Sequence, residues 1–279
     1  MVKKSPHRIF GVLGYPAKHS LSPKMHNAAF KALKINARYK IFEVEPSKLK
    51  NFFATLHARG IEGLNVTIPY KQTVLSYIKR TTPEARMIGA VNTIKVSGNK
   101  LLGYNTDGEG FLQHLKTDLK FDPRGKKIAI LGAGGASRSV CVYLCKAGAQ
   151  RIAIYNRDRS KIINLMHILN MNGVCTDLIA ASHVADLRIE EADLLINTTS
   201  VGMEEGAPSL VDTRYLHPGL IVYDLVYTRK NTKLLQDAAA KGCRTASGLG
   251  MLLYQGILSF KIWTGRTPPK QIMGKALGL

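Results

Sequence analysis

A lysine follows a stretch that has the composition of a buried strand. The apolar, β-branched run from Ile61 to Ile68 is typical of a strand, and Pro69 ends it because proline has no N–H for a sheet. Lys71 comes next, where the pattern predicts the start of a helix. Ligands bind beside strand ends in open α/β sheets, and a helix N-terminus disfavours a nearby cation, which lowers a lysine pKa. Lys71 is therefore a candidate general acid or base. The alternative is a solvated surface lysine, since the chain has 40 Lys and Arg residues.

A glycine-rich turn in the middle of the chain has the spacing of a dinucleotide-binding loop. The segment Gly132-Ala133-Gly134-Gly135-Ala136-Ser137 follows an apolar run and opens a helical pattern. Gly132 permits a tight turn, and Gly134 lets the backbone approach a pyrophosphate. The helix N-terminus then offers N–H groups and the positive end of its dipole. The alternative is a tight turn that binds no ligand.

The residues after the next predicted strand indicate which dinucleotide is bound. An acidic residue there would accept the ribose hydroxyls of NAD. Asn156 and Arg157 instead offer an amide and a guanidinium, which suit a 2′-phosphate. Arg159 and Lys161 add positive charge, whereas Asp158 would repel a phosphate if it pointed inward. The pattern favours NADP over NAD.

These candidate residues require strands and helices that alternate along the chain. Before residue 107 the pattern predicts strands at Arg8–Gly14 and 38–44, and a hairpin that pairs 90–96 with 100–106. From Lys126 onward the alternation becomes regular, as in a parallel sheet. Strands are predicted at 127–131, 151–155, 193–197 and 220–225, with helices at 137–146, 160–170, 232–241 and 249–263.

Composition narrows the class of protein. The chain has 279 residues and a formal net charge of +21. No apolar run approaches the ~18–20 residues that a transmembrane helix needs, and 9–13 is too short for a signal peptide, so a cytoplasmic protein is expected. The basic residues are spread along the chain without a nucleic-acid-binding motif. We therefore expect anionic small molecules rather than nucleic acid, and no membrane partner.

The cysteines give no sign of a metal or redox site. Cys141, Cys145, Cys175 and Cys243 form no C-x-x-C pair. We interpret them as small apolar residues of a reducing compartment. No metal-ligand spacing occurs elsewhere, so no metal is expected.

Several motifs follow one another along nearly the whole chain. They are Ser20-Leu21-Ser22-Pro23, Asn65-Val66-Thr67-Ile68-Pro69-Tyr70-Lys71, Ala90-Val91-Asn92-Thr93, Gly103-Tyr104-Asn105-Thr106-Asp107, the glycine loop, Asn156-Arg157, Asn197-Thr198-Thr199-Ser200-Val201-Gly202-Met203, Asp224-Leu225-Val226-Tyr227 and Gly248-Leu249-Gly250-Met251-Leu252-Leu253-Tyr254-Gln255. In their order and spacing, these motifs resemble those of shikimate dehydrogenases.

The resemblance implies a fold, a reaction and roles for particular residues. The reaction is the NADP-linked, reversible reduction of 3-dehydroshikimate to shikimate in aromatic amino-acid (chorismate) biosynthesis. Lys71 and Asp107 would form the catalytic pair. The other substrate-binding residues implied are Ser20 and Ser22 for the carboxylate, Asn65, Thr67, Asn92 and Gln255, with Asp107, for the ring hydroxyls, and Tyr227 nearby. The cofactor-binding residues implied are Gly132, Ala133, Gly134, Gly135, Ala136, Asn156, Arg157, Asp158, Lys161, Thr198, Gly248 and Met251.

The implied architecture has two α/β domains. Residues 1–107 and 249–279 would form a substrate-binding domain, and 108–248 a Rossmann-type dinucleotide-binding domain, with the active site in the cleft between them. The resemblance leaves a monomer or a homodimer open.

Two alternatives remain at this stage. Shikimate dehydrogenases that prefer NADP often carry Thr at the position of Asp158, so a quinate/shikimate dehydrogenase with relaxed cofactor use is one alternative. The other is a non-catalytic protein that senses NADP or binds nucleic acid through its positive charge.

Overall fold

The computed structural model describes residues 7–171, 177–204, 206–228 and 230–279, so Cys175 lies outside the described residues. The chain divides into two compact units. Unit 1 comprises Met1–Gly110 and Leu252–Leu279, and unit 2 comprises Phe111–Met251. Each unit contains a sheet flanked by helices, and this α/β class is the one that the sequence predicts.

The helices are named in chain order. They are α1 (Ser22–Ala32), α2 (Leu49–Ala54), α3 (Pro83–Ile88), α4 (Asp107–Thr117), α5 (Gly135–Lys146), α6 (Arg159–Met171), α7 (Lys233–Ala240), α8 (Leu249–Thr264) and α9 (Lys270–Leu277). The chain leaves unit 1 within α4 and returns to it within α8. No helix among the described residues has both the length and the apolar composition needed to cross a membrane.

The sheet of unit 1 is mixed, and its topology gathers several loops at one edge. Its strands are β1 (Arg8–Gly14), β2 (Ala37–Glu43), β3 (Ile61–Val66), β4 (Arg80–Thr81), β5 (Thr93–Ser97) and β6 (Lys100–Tyr104), in the order β2-β1-β3-β5-β6-β4. β1 is parallel to β3, whereas β5 is antiparallel to both β3 and β6. β1, β3 and β6 therefore end, and β5 begins, at the same end of the sheet, and this end is the sheet edge meant below for the candidate site.

Strand β1 is buried on both faces. Phe10 and Val12 belong to a core with α1, α8 and α9, whereas Leu13 belongs to a core with α2 and β3. Successive side chains of a strand point to opposite faces, so this alternation shows that helices and loops cover both sides of the sheet.

Asn27 of α1 covers the free edge of β2. Its amide nitrogen donates to the Tyr39 carbonyl at 3.0 Å, and its amide oxygen accepts the Tyr39 N–H at 2.8 Å. β2 is an outer strand of its sheet. Asn27 therefore supplies the pair of hydrogen bonds that a further strand would make at this residue.

The sheet of unit 2 is entirely parallel. Its strands are β7 (Lys127–Leu131), β8 (Arg151–Tyr155), β9 (Asp177–Ala181), β10 (Leu194–Asn197), β11 (Ile221–Asp224) and β12 (Arg244–Ser247). Their order is β9-β8-β7-β10-β11-β12. Numbered within the unit, this is 3-2-1-4-5-6, the order of a Rossmann sheet that binds dinucleotides at the ends of its central strands.

Candidate active site

The lysine and the aspartate that the sequence singles out form an ion pair. Lys71 Nζ lies 2.6 Å from Asp107 Oδ2. The side chains are 16% and 6% exposed, respectively. The pair is thus nearly removed from water, where a charge-assisted hydrogen bond is strong. An ammonium has three donors, so Lys71 can also donate to a substrate oxygen.

Asn92 holds the other oxygen of Asp107. Its amide nitrogen donates to Asp107 Oδ1 at 2.7 Å and lies 2.9 Å from the Thr106 hydroxyl. Its amide oxygen accepts the backbone N–H of Thr106 at 2.8 Å. A backbone N–H must meet an oxygen and a carboxylate must meet a donor, so these contacts determine the orientation of the amide.

The backbone around Lys71 is tied to the same place. The Val91 N–H donates to the Lys71 carbonyl at 2.7 Å, and the Val66 N–H donates to the Asn92 carbonyl at 2.7 Å. Lys71 and Asn92 therefore approach each other through the main chain of adjacent segments. This arrangement holds the lysine in position at the end of β3.

The prediction of a helix immediately after Pro69 is wrong. Lys71 lies in a turn, and the segment that follows, Thr73–Tyr77, is a 3₁₀ helix of five residues. A single short 3₁₀ segment has too few aligned peptides to provide a helix dipole beside the lysine. The ion pair with Asp107, rather than a dipole, defines the electrostatic environment of Lys71.

A second layer of buried polar groups supports the pair. The Asn65 amide nitrogen lies 2.9 Å from the Ser259 hydroxyl and 3.1 Å from the Thr93 hydroxyl. The Tyr39 hydroxyl donates to the Asn65 amide oxygen at 2.8 Å. The Thr93 hydroxyl in turn donates to the amide oxygen of Asn92 at 3.0 Å. A chain of hydrogen bonds thus joins Asn65 to the Lys71–Asp107 pair, and such satisfied networks make a site rigid.

Gln255 reaches this network from α8. Its amide oxygen lies 3.4 Å from the Asn92 amide nitrogen, and its amide nitrogen donates to the Leu252 carbonyl at 2.7 Å. Gly110 of α4 makes the approach possible, because a Cβ there would lie 2.5 Å from the Gln255 backbone nitrogen. Asn65, Lys71, Asn92, Asp107 and Gln255 are therefore brought together.

Ser20, Ser22 and Thr67 follow β1 and β3 at the same sheet edge. The Ser20 hydroxyl accepts the Ser22 N–H at 3.3 Å, and Ser22 is the first residue of α1. Thr67 is half-buried directly after β3. Among the described residues, no hydrogen bond joins these three side chains to the Asn65–Asp107 network. The topology places them at the edge, whereas the network itself does not include them.

The glycine loop of unit 2 has the backbone that its sequence predicts. Gly132 has φ of 105°, and a Cβ there would lie 2.4 Å from the Thr198 hydroxyl, so only glycine fits. The Ser137 hydroxyl donates to the Gly132 carbonyl at 2.8 Å and closes the turn. The Thr198 hydroxyl donates to the Leu131 carbonyl at 2.7 Å, which fixes the neighbouring strand end.

The loop has the space and the polarity that a dinucleotide phosphate needs. Among the described residues, apart from Gly134 itself and its two neighbours in the chain, no atom lies within 4 Å of the position where a Cβ of Gly134 would stand. Gly134 is also the N-cap of α5, where backbone N–H groups have no partner in the helix. Gly135 and Ala136 begin that helix, and Ala133 is buried behind the loop. The residues present therefore fit a bound pyrophosphate.

Asp158 forms hydrogen bonds with the first turn of α6. Its Oδ1 accepts the Ser160 N–H at 3.0 Å and the Ser160 hydroxyl at 2.5 Å, and Lys161 Nζ lies 3.7 Å from its Oδ2. The hydrogen bond from Ser160 holds the pKa of Asp158 below its usual range. Asp158 is thus a helix cap and is partly neutralised by Lys161. Arg157 is exposed beside it.

Asn156 and Gly248 are held by backbone contacts. The Asn156 amide nitrogen donates to the Asp158 carbonyl at 2.9 Å. A Cβ on Gly248 would lie 2.0 Å from the Leu225 carbonyl oxygen, so this position also requires glycine. Met251 is buried in the first turn of α8, and Tyr227 is half-buried after β11.

Sequence reasoning missed several polar residues of the second layer. Thr93 and Thr106 lie inside motifs that were recognised, but nothing in the sequence gives their hydroxyls a role. Ser259 follows Gln255 by four residues, so both lie on one face of α8, and this spacing could have indicated it. Among the described residues, no group of three or more His, Cys, Asp and Glu side chains could hold a metal ion.

Comparisons with known proteins agree with these features. Residues 12–94 match the family model described as shikimate dehydrogenase substrate binding domain. Residues 115–204 match the shikimate / quinate 5-dehydrogenase model, and 248–277 match the shikimate 5'-dehydrogenase C-terminal domain. A shikimate dehydrogenase (NADP(+)) of Methanopyrus kandleri is 44% identical over 273 residues, which are 96% of this chain and 94% of that protein.

Solved structures extend the likeness to the fold. A shikimate dehydrogenase from Aquifex aeolicus has a TM-score of 0.90 at 37% identity, with 98% of each chain covered. A Thermus thermophilus shikimate 5-dehydrogenase in complex with NADP(H) and shikimate has a TM-score of 0.85 at 33% identity, with 97% of this chain and 98% of that chain covered. On these grounds, the chain belongs to the shikimate dehydrogenase family.

Proposed function

We propose that this protein catalyses the reversible, NADP-linked reduction of 3-dehydroshikimate to shikimate, in the biosynthesis of aromatic amino acids. The observation that carries the proposal is the nearly buried Lys71–Asp107 ion pair. Asn92 donates a hydrogen bond to the second carboxylate oxygen of Asp107, at the end of the sheet of unit 1. The family supplies the identity of the substrate, and the pair supplies the chemistry that its reduction requires.

Lys71 and Asp107 act on the oxygen of the reacting carbonyl. NADPH, when bound, supplies the hydride that adds to the carbonyl carbon. The oxygen then carries the electron pair of the broken π bond, and Lys71 Nζ stabilises this charge and delivers a proton to it. Asp107, 2.6 Å away, orients the ammonium and stabilises it. In the reverse direction Lys71 accepts the hydroxyl proton, and a positioned group of this kind contributes about 10²- to 10⁴-fold to the rate.

Polar side chains at the same sheet edge recognise the rest of the substrate. Ser20 and Ser22 bind the carboxylate, because hydrogen bonds to an anion are the stronger kind. The start of α1 adds backbone N–H groups there. The ring hydroxyls are held by residues that both donate and accept or that accept alone, namely Asn65, Thr67, Asn92, Asp107 and Gln255, with Tyr227 close to the substrate.

NADP is held by the loops at the strand ends of unit 2. The segment from Gly132 to Ala136 holds the pyrophosphate, with Thr198 beside it. Asn156, Arg157 and Lys161 bind the 2′-phosphate, and Asp158 caps α6 without opposing it. Gly248 and Met251 line the nicotinamide. This arrangement favours NADP because the exposed Arg157 guanidinium matches a phosphate.

The domain assignment and the setting of the enzyme complete the proposal. Residues 1–107 and 249–279 form the substrate-binding domain, and 108–248 form the dinucleotide-binding domain. The partners are shikimate and 3-dehydroshikimate, without metal or nucleic acid. The enzyme is cytoplasmic and acts as a monomer or a homodimer.

An absorbance assay at 340 nm tests the proposal. The purified protein is mixed with shikimate and NADP, and then with NADPH and 3-dehydroshikimate. NADPH is expected to form in the first mixture and to disappear in the second. A protein that carries out neither conversion, although it binds NADPH, would contradict the proposed reaction.

A quinate/shikimate dehydrogenase with relaxed cofactor use is the second candidate. The family description that matches 115–204 names both substrates. Values of kcat/KM for shikimate and quinate, each with NADP and with NAD, separate the two. A quinate value within about tenfold of the shikimate value, equivalent to 1.4 kcal/mol of discrimination, would favour this candidate.

A further inference from the structure

A buried tyrosine near the end of β11 contacts the part of α4 that lies in unit 2. Tyr223 is fully buried, and its hydroxyl lies 2.7 Å from His114 Nδ1 on α4. The His114 ring in turn packs against the first turn of α8, because a Cβ on Gly250 would lie 2.1 Å from His114 Cε1. The Tyr223 hydroxyl therefore fixes the ring on which that turn rests.

His114 has a polar group near each of its ring nitrogens. Nδ1 lies 2.7 Å from the Tyr223 hydroxyl, and Nε2 lies 3.9 Å from Asp118 Oδ2, one helical turn further along α4. A hydroxyl can meet either a donor or an acceptor nitrogen. Asp118, His114 and Tyr223 thus form one chain of polar contacts, which fixes the orientation of the imidazole.

The start of α8 is packed on two sides. A Cβ on Gly250 would lie 2.1 Å from His114 Cε1, so the imidazole rests directly on the backbone there. A Cβ on Gly248 would lie 2.0 Å from the Leu225 carbonyl oxygen. The turn from Gly248 to Met251 is therefore held between the segment after β11 and the His114 ring, whose position the Tyr223 hydroxyl fixes.

We propose that Tyr223 and His114 are positioning residues, which hold the Gly248–Met251 turn where the nicotinamide binds. This inference rests on the proposed function, because that function places Gly248 and Met251 at the nicotinamide. Neither side chain is expected to touch the substrate. Their effect arises because hydride transfer depends on the placement of the nicotinamide within about 1 Å.

Tyr223→Phe tests the anchor in two ways. The variant keeps the buried ring and loses only the hydroxyl. In the free protein, hydrogen exchange at the amides at the start of α8 is expected to be at least about tenfold faster than in the wild type, because the ring beneath that turn is no longer fixed. In turnover, kcat is expected to fall about tenfold with an altered isotope effect from 4-deuterated NADPH, while KM for shikimate stays within about twofold.

Variants of His114 separate the hydrogen bond from the ring that rests on Gly250. His114→Phe keeps a ring and offers the Tyr223 hydroxyl no partner, so it should resemble Tyr223→Phe. His114→Ala removes the ring as well, so it should lower kcat further. Tyr215→Phe is the matched control, because it removes a tyrosine hydroxyl from a partly buried site elsewhere in the core of unit 2. It should leave kcat and amide exchange at the start of α8 unchanged.

The outcomes separate this inference from the proposed function. Unchanged exchange at the start of α8 in Tyr223→Phe would overturn the inference, and so would faster exchange with unchanged kinetics and unchanged NADPH affinity. A lower melting temperature with normal kcat would point to a structural role only. A wild-type protein without shikimate oxidation would contradict the proposed function, and NADPH affinity, measured by fluorescence, would then decide the inference: weaker binding by Tyr223→Phe supports it, and equal binding overturns it.

Discussion

Lys71 Nζ lies 2.6 Å from Asp107 Oδ2, across 36 positions of sequence, and Asn92 binds the second oxygen of the same carboxylate. The two carboxylate oxygens therefore have separate partners. One faces the ammonium, and the other is fixed by an amide whose own orientation is determined by a backbone N–H. The position of the lysine thus depends on a rigid acceptor rather than on a mobile surface charge.

Replacing Lys71 removes the proton donor and leaves the substrate contacts in place. Lys71→Ala is expected to lower kcat about 10²- to 10⁴-fold, whereas KM for shikimate changes by less than about threefold. Steady-state rates at 340 nm measure both constants. Lys79→Ala, at an exposed position in the same region, is the control and should behave as the wild type. Near-normal turnover in Lys71→Ala would contradict the mechanism.

Asp107 is expected to act through Lys71. Asp107→Asn keeps the shape of the side chain and removes its charge, so kcat should fall about 10- to 100-fold because the ammonium loses its partner. When Asp107→Asn is added to Lys71→Ala, kcat should fall by less than about a further threefold, because the effects of residues that act as a unit are not additive. Fully multiplicative losses would show that the two residues act independently.

The two glycines of the nucleotide loop should respond differently to alanine. Gly132→Ala forces φ of 105° on an L-residue and places a Cβ 2.4 Å from Thr198, so about 1–3 kcal/mol of stability should be lost. Gly134 has ordinary φ and open space around its Cβ position. Gly134→Ala should therefore keep its melting temperature and lose NADP affinity. Urea unfolding and NADPH fluorescence titration separate these effects, and unchanged affinity in Gly134→Ala would count against the loop as the pyrophosphate site.

Arg157 is expected to account for the choice of NADP. Arg157→Ala should lower kcat/KM for NADP about 10- to 100-fold, which is the worth of a charge-assisted contact, and should leave the value for NAD nearly unchanged. Arg214→Ala, which removes an exposed arginine that is already paired with Asp212, is the control. Equal losses with both cofactors would show that Arg157 does not bind the 2′-phosphate.

His26 makes the folded state sensitive to acid. It is fully buried and stacks on Tyr39, with the two ring centroids 4.4 Å apart. Burial lowers the pKa of His26 from 6.5 to about 3. The unfolded chain binds this proton below pH 6.5 and the folded chain does not, so stability falls as the pH decreases from 6.5 towards 3. At pH 5 this group lowers the free energy of unfolding by about 2 kcal/mol relative to neutral pH.

His26→Phe isolates that contribution. The variant keeps an aromatic ring in the stack and has no group to titrate. Urea unfolding at pH 7.5 and pH 5 should show a smaller loss of stability in the variant by about 2 kcal/mol. Equal losses in the two proteins would mean that His26 titrates alike in the folded and unfolded chains.

The central strands were predictable because they are buried on both faces. The apolar runs at Arg8–Gly14, 127–131 and 151–155 have the bounds that the sequence predicts. The outer strands β9 and β12 were missed. Arg244–Ser247 reads Arg-Thr-Ala-Ser and is partly exposed, so it carries no apolar pattern, and only pairing with β11 makes it a strand.

The site was predictable in part. Local features made Lys71 a candidate, but no local feature joins it to Asp107, which reads equally well as a helix cap. The structure places Asp107 as the first residue of α4 and directs both its oxygens to side chains instead. Local contacts decide the role of Asp158 instead: its hydrogen bonds to Ser160, two residues further along, make it the cap of α6, although its neighbours in the sequence allowed an inward orientation as well.

The pair of hydrogen bonds between Asn27 and Tyr39 bears on how copies of this chain meet. An exposed outer strand is a template on which a second chain can continue the sheet, and this is a route to aggregation. At Tyr39 both backbone groups are already occupied, and Lys40 beside it is exposed. Intermolecular strand addition at β2 would first have to displace the Asn27 amide. The same side chain that fastens α1 to the sheet therefore also protects the chain against association by its edge.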